Sequence, residues 1–372
     1  MDQRRKNKIQ SPRLMRGMSL PEILAAVLIG LIGMIVIMQV YATSEERKRT
    51  TTGTSDAQIN GSIALFTLER TMRSAGFGLV SAANNMLGCT VRAYNSNRTT
   101  PDFTFLMAPV VITVGAAGAP DRITVTYGSS PNVVEGNPFV SGAVSGADIP
   151  LKNAAGILVG DLVVASETGL NCSMVEVTGF VPAAINTVQH ANGGAYSYVN
   201  AAGNTVSPVA TYNKAGGSGV DYSSSALLFT LGRSPSFVTY QIGNDKLQTK
   251  TLIPYVAAQD SDGDGTSDAD IGDGIVQLKA QYGKDTDGDA IVDTWNTTLP
   301  ATAAEWMQVR AVRVAVLARS AKFEKTAVTA AAPSWYGGAF TMTNPADGTD
   351  WHYYRYRVYE TVVPLRNMIW SN

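Results

Sequence analysis

Arg16-Gly17-Met18-Ser19-Leu20-Pro21-Glu22 leads into Ile23-Leu24-Ala25-Ala26-Val27-Leu28-Ile29-Gly30-Leu31-Ile32-Gly33-Met34-Ile35-Val36-Ile37-Met38-Gln39-Val40, a run with no charge. Met18 to Val40 is 23 residues. At about 1.5 Å each this makes roughly 35 Å of helix, enough to span a bilayer core of about 30 Å. Arg4, Arg5, Lys6, Lys8, Arg13 and Arg16 stand against Asp2 ahead of the run. That positive excess holds the leading end in the cytoplasm, so the rest of the chain faces outward.

A basic leader, a Gly just before the apolar run and one carboxylate five residues past the Gly together resemble a type IV prepilin. The resemblance implies a leader of residues 1–17, cut after Gly17 by a prepilin peptidase, with N-methylation of the new terminus at Met18. An ordinary secretory signal places its cleavage site after an apolar run of about 7 to 15 residues. Here the cut precedes the run and the helix is kept. A carboxylate inside an apolar span is costly and marks a specific partner. In pilins the residue equivalent to Glu22 meets the α-amine of a neighbouring subunit, which would set register between subunits. The plainer alternative is a glutamate that snorkels to the headgroups. Met18 stands where pilins usually have Phe and Pro21 where they usually have an aliphatic residue, but Pro is tolerated in a first helical turn.

With 372 residues, 45% of them hydrophobic, the chain can bury a large core beyond this helix. Its 35 Gly and 16 Pro point to many turns. The formal net charge is −1, and removal of a leader with six basic residues and one acidic would leave about −6. Such a surface disfavours a phosphate backbone, so nucleic acid is not an expected partner. The two cysteines, Cys89 and Cys172, follow the span. In an oxidising compartment they make a disulfide, the alternative being two separate buried thiols.

Residues 18–42 form the transmembrane and assembly segment. Residues 43–80 continue the helix amphipathically, with helical spacing at Ile59, Ile63, Phe66 and Arg70 and an end near Gly76 and Gly78. Gly53 and Gly61 weaken it. Residues 81–372 form the head, in which Phe103 to Leu106, Arg122 to Tyr127, Gly156 to Ala165, Met174 to Phe180, Ala226 to Leu231, Phe237 to Ile242 and Val309 to Ala318 read as strands. Tyr353 to Val363 alternates in the manner of a strand with one buried face. Ala191 to Gly219, rich in Gly, Ala, Ser and Asn, reads as a long surface loop and a poorly ordered insertion. The expected class is α+β, type IV pilin-like: a long N-terminal helix, half in the membrane and half packed, on an antiparallel β-rich head.

Four further blocks narrow the resemblance to PilW-type minor pilins: Ala64 to Gly78, Val276 to Gly283 followed by an Asp-rich loop, Trp306 to Val314, and Arg357 to Asn367. They fall in order along the chain, and residues 81–250 carry no matching block.

Asp260-Ser261-Asp262-Gly263-Asp264-Gly265-Thr266-Ser267-Asp268 places carboxylates at loop positions 1, 3, 5 and 9 with Gly at 6. Calcium takes 6 to 8 oxygens, and alternate residues of a tight loop point inward, so this spacing suits it. Asp285-Thr286-Asp287-Gly288-Asp289-Ala290-Ile291-Val292-Asp293 repeats the pattern with Ala in place of the Gly. The loops, within 260–273 and 285–296, lack the Glu of an EF-hand at position 12, where Ile271 and Asn296 stand. Asp270 and Asp273 are nearby donors for the first. The alternative is a solvated acidic turn without an ion, but ten Asp between 260 and 293 repel one another without a cation. Calcium in at least one loop is expected, with dissociation constants of about 10⁻⁴ to 10⁻³ M as in extracellular modules.

His190 and His352 are the only histidines, and no G-x-S-x-G or H-E-x-x-H motif is present, so the chain does not read as an enzyme. The resemblance implies a minor pilin that primes pilus assembly in a bacterial inner membrane, head in the periplasm, and can end at the pilus tip and cell surface. Its partners would be other minor pilins, the major pilin and the inner-membrane assembly platform. A type II secretion pseudopilin and a calcium-dependent tip adhesin are the alternatives, the latter using the 191–219 loop.

Overall fold

The computed structural model describes residues 19–79, 86–132, 135–141, 148–200 and 202–369. The expected leader, with Gly17 and Met18, lies outside them. One helix runs Leu20–Ser74, close to its expected ends. Its start is capped locally: the Ser19 N–H donates to Glu22 Oε2 at 3.3 Å, and the Glu22 and Ile23 N–H groups donate to the Ser19 carbonyl at 3.0 and 3.1 Å. A carboxylate in the first turn also offsets the helix dipole. Gly76, at φ 78°, ends the helix, and its N–H is taken by the Thr126 carbonyl at 2.9 Å.

The chain forms two compact units, residues 1–53 and 54–372. In the first, the most apolar 18-residue window of Leu20–Lys48 has mean hydropathy 2.8, and none of it is buried. It is long and apolar enough to cross a membrane.

In the second unit, the residues that enter the core from the helix and its end are Ala57, Ala64, Leu68, Met72 and Ala75, at steps of seven, four, four and three that keep to one helix face. The helical spacing of Ile59, Ile63 and Phe66 is real, but these three are 54%, 46% and 65% exposed. The small residues face inward because the sheet approaches closely there. A Cβ on Gly61 would collide with the ring of Tyr359, whose hydroxyl donates to the Gln58 carbonyl at 3.2 Å. Gly61 is therefore a seat for a ring, at a position where helix propensity alone registers only a cost.

Three larger sheets build the head. The first has six strands in the order Asp102–Leu106, Thr90–Tyr94, Cys172–Glu176, Leu162–Ser166, Leu227–Gly232, Asn137–Pro138. The second has five: Ser267–Asp273, Lys246–Ile253, Ser236–Gly243, Arg122–Tyr127, Val110–Thr113. The third has four: Thr294–Asn296, Ile275–Lys284, Val309–Arg319, Tyr356–Pro364. Pairing in these sheets is antiparallel except between Thr90–Tyr94 and Cys172–Glu176, which run parallel. The expected strand from Gly156 begins only at Leu162, because positive-φ turns at Gly156 and Gly160 hold the chain before it.

Val309 to Ala318 is buried along its whole length because both faces are covered. Val312, Val314 and Val316 join the core that receives the helix, while Ala315 and Leu317 pack with Phe340. The neighbouring Tyr356–Pro364 strand likewise uses both faces, Tyr359 and Val363 inward and Tyr356 and Val358 toward the Phe340 cluster. This corrects the expectation of one buried face. A smaller separate core holds Phe139, Val163, Val175, Tyr222 and Leu228.

The 191–219 segment is irregular, with a short ribbon of Tyr198–Val199 and Thr205–Val206, yet it is pinned. The buried Glu176 carboxylate accepts from Tyr196 Oη at 2.5 Å and from the N–H groups of Thr211 and Tyr212 at 2.8 and 3.0 Å. Asn213 returns two bonds to the Glu176 backbone, at 2.8 Å each. The expectation of a poorly ordered insertion is corrected accordingly: one buried carboxylate must be satisfied, and the loop supplies the donors.

Candidate functional site

Cys89 and Cys172 form a disulfide with Cα atoms 6.0 Å apart, joining positions 83 residues apart. It links the approach to Thr90–Tyr94 with the parallel neighbour of that strand. Cys172 sits in the main core.

The two Asp-rich loops share one wiring. Asp260 Oδ1 and Oδ2 accept from the N–H groups of Gly263 and Gly265 at 2.8 and 3.0 Å, and Asp285 does the same for Gly288 and Ala290 at 2.7 and 3.1 Å. Asp262 accepts from the Asp264 N–H, as Asp287 does from that of Asp289. Asp268 closes the first loop by accepting from the Ser261 backbone and hydroxyl, and Asp293 closes the second through Thr286. Gly265 has φ 81° and Ala290, at the same loop position, φ 69°. The second loop thus makes its turn with an alanine in the left-handed region. Ligand oxygens of Asp260, Asp262 and Asp268, and of Asp285, Asp287 and Asp289, lie within 4.8 Å of one another. That is a spacing a hard, oxygen-preferring cation could bridge.

The cations already present differ. In the first loop, Lys250 Nζ lies 2.6 Å from Asp262, 2.7 Å from Asp268 and 3.1 Å from Asp264. Burial works against the charged ammonium, but the three carboxylates outweigh it and raise the Lys250 pKa. Burial likewise opposes ionisation of Asp264 and Asp268. Thr266 and Lys250 for the one, and Lys250 and Ser261 for the other, hold both below the usual carboxylate value. Tyr255 Oη donates to Asp260 Oδ2 at 3.0 Å. In the second loop the ion pair is internal: Arg310 Nε reaches Asp285 Oδ2 at 3.1 Å and Arg310 Nη1 donates to the Met368 carbonyl at 3.3 Å. Burial opposes the charge on Asp285, but the Gly288 N–H, Arg310 and the Ala290 N–H lower its pKa.

Asp270 and Asp273, expected as extra donors to the first loop, are engaged elsewhere. Both pair with Lys246, at 2.8 and 3.3 Å, across the strand register that sets Lys246 opposite Asp273 and Gln248 opposite Asp270. Lys250 went unnoticed in the sequence reading, although the same register places it opposite Asp268. Hairpin pairing of Lys246–Ile253 with Ser267–Asp273 is the signal that would have found it.

Glu22 is exposed, bonded to its own helix start as described above. Of the two histidines, His190 is buried, and His352 Nδ1 contacts Asp350 at 2.7 Å.

No curated protein and no solved structure matches the chain significantly. Residues 239–367 match the family of type IV pilus-assembly protein W, PilW, a family of pilus assembly and not a known enzyme family. The match spans both Asp-rich loops and the strands that carry Lys250 and Arg310. With one N-terminal apolar helix and antiparallel β-rich sheets among its described residues, the chain is similar over residues 239–367 to a family of type IV pilus assembly.

Proposed function

We propose that this chain is a minor pilin with a pilin-like fold, cut after Gly17 and methylated at Met18, that primes type IV pilus assembly in the inner membrane and can end at the pilus tip. The observation that carries this reading is a helix with an unburied apolar run in a chain whose other end matches a pilus-assembly family. Such a run has two destinations, lipid and the helices of neighbouring subunits, and assembly exchanges the first for the second. Glu22, in the first helical turn, would leave its own Ser19 contact for the Met18 amine of the next subunit and fix register. The exposed Ile59, Ile63 and Phe66 stripe would continue the lateral contact on the head. The partners are then other minor pilins, the major pilin, the prepilin peptidase and the assembly platform.

Calcium belongs to the same proposal. The Asp loops supply clustered carboxylates on the periplasmic or surface side, where calcium is plentiful, and would bind it weakly, at about 10⁻⁴ to 10⁻³ M. Calcium at several millimolar is expected to raise the melting temperature of the protein, and an unchanged melting curve refutes this part.

The test of the main reading is a count of surface pili on cells lacking the gene, with secreted protein scored from the same cultures. Lost pili with normal secretion support the minor pilin. Normal pili with failed secretion make the chain a type II secretion pseudopilin. Normal pili that no longer attach in calcium favour a tip adhesin.

A further inference from the structure

We propose that the pocket between the strand Thr90–Tyr94 and the 212–218 segment is a binding site for a single carboxylate group, carried by a free small acid or by an acidic sugar. The inference stands apart from the pilus and calcium readings above and uses none of their residues.

The site follows from strand alternation. Val91 and Ala93 turn into the main core, so Arg92 and Tyr94 leave the sheet on its other face. The 212–218 segment is tied down beside them by Lys214, whose Nζ lies 2.7 and 2.9 Å from the two Asp102 carboxylate oxygens. A pocket of about 30 Å³ remains between the two, bordered by Arg92, Asp102, Lys214 and Ser218 and, among buried residues, by His190. That is room for about two waters, or for one carboxylate whose parent molecule lies in the mouth.

Charge selects the ligand. Arg92 has no carboxylate partner among the described residues, its one contact being a long 3.4 Å bond from Nη1 to the Gly219 carbonyl, whereas Asp102 balances Lys214. The mouth therefore keeps one net positive charge. A guanidinium offers paired N–H donors that match the two oxygens of a carboxylate, and a monoanion leaves no second charge to face Asp102, as a phosphate would. Buried polarity points the same way. His190 is 7% exposed, and its Nε2 has no hydrogen-bond partner among the described residues. A buried ring nitrogen left alone costs free energy that a bound group recovers. With the ring proton on Nε2, His190 can donate to a carboxylate oxygen at the inner end of the pocket.

The experiment is a titration of the detergent-solubilised full chain with acetate, galacturonate, neutral galactose and inorganic phosphate, followed by ligand-observed NMR. It compares wild type with Arg92→Gln, Asp102→Asn and His190→Gln, with circular dichroism as a folding control. Wild type is expected to bind both acids saturably and galactose not at all. Equal affinity for the two acids supports the site with a free small acid as its ligand, and tighter galacturonate supports it with an acidic sugar. Arg92→Gln is expected to weaken binding by about tenfold or more, and His190→Gln to weaken it too. Asp102→Asn should tighten binding, because it raises the net positive charge of the mouth, whereas a purely structural ion pair would only loosen the segment and weaken any contact there. Arg92 and Asp102 are exposed, so these two variants keep the test decisive even if His190→Gln fails to fold. No acid bound by wild type at several tens of millimolar, unchanged affinity in Arg92→Gln, weaker binding in Asp102→Asn, or phosphate held more tightly than acetate overturns the assignment.

Discussion

Residues 239–367 and residues 86–232 both end as β-sheet, but they reach it differently. In the former, which match PilW, most pairings join near neighbours in the chain, Ser236–Gly243 with Lys246–Ile253, that strand with Ser267–Asp273, and Ile275–Lys284 with Val309–Arg319, although Ser236–Gly243 also pairs with the distant Arg122–Tyr127. In the latter, Thr90–Tyr94 lies parallel to Cys172–Glu176 and Leu162–Ser166 pairs with Leu227–Gly232, so contacts are made across 60 to 80 residues or more. Long-range pairing must overcome more loop-closure entropy before it stabilises anything. The second region has a disulfide that the first lacks among the described residues, and its buried Glu176 carboxylate holds a long loop, whereas the buried Asp285 of the first holds only its own short loop. The difference teaches that the family-matched region is wired mostly between neighbours, while the parallel, long-range pairing of the other region lies beside its disulfide.

The strongest way to break that comparison is to replace Cys89 and Cys172 with Ser. Opening a loop of this length is expected to cost about 4 kcal/mol in denaturant unfolding. Hydrogen exchange should accelerate in 86–232 more than in 239–367, and equal acceleration in both would contradict the division. Next is Glu176→Ala, which leaves two backbone N–H groups and the Tyr196 hydroxyl without their acceptor. A loss of about 3 kcal/mol is expected, with new proteolytic cuts in 191–219. Gly61→Leu acts on the other region by forcing Tyr359 off the helix, at about 2 kcal/mol. Combining it with Tyr359→Ala should recover part of that loss, which a purely helical effect of the leucine would not allow.

Smaller effects sharpen the contrast. Ala290→Gly relieves a left-handed alanine and is expected to stabilise by about 0.5–1 kcal/mol, whereas Gly265→Ala should destabilise, because φ 81° and Arg98 both oppose a Cβ. Acid should act on the regions in turn. Burial lowers the His190 pKa from 6.5, so the folded state binds fewer protons than the unfolded chain and stability falls as pH drops below about 6.5, first in 86–232. Asp264, Asp268, Asp285 and Asp293 have pKa values depressed from 3.8. Their contribution is present above that pH and is lost as pH falls through the depressed values, in 239–367. Region-resolved exchange between pH 7 and pH 3 checks the order.

The helix from Leu20 to Ser74, the strand Arg122–Tyr127 and the repeated Asp spacing were legible in the residues, because each depends on local periodicity or on a short loop that folds back on itself. The face the helix buries was not. Ile59, Ile63 and Phe66 look like the core stripe, and the sheet chose Ala57, Ala64 and Leu68 because Tyr359, almost three hundred residues away, fills the space over Gly61.

By itself the sequence determined the apolar span, the α+β class, the pairing of its only two cysteines and the two loops that gather carboxylates, all of which follow from composition and near spacing. Tertiary structure alone decided that Glu176 holds down the 191–219 loop, that one arginine sits behind each Asp-rich loop, and that Lys250 enters the first and nothing equivalent among the described residues enters the second. The physical reason is that a charge on one strand finds its counter-charge through strand register and sheet packing, and neither is encoded within the few residues on either side of it.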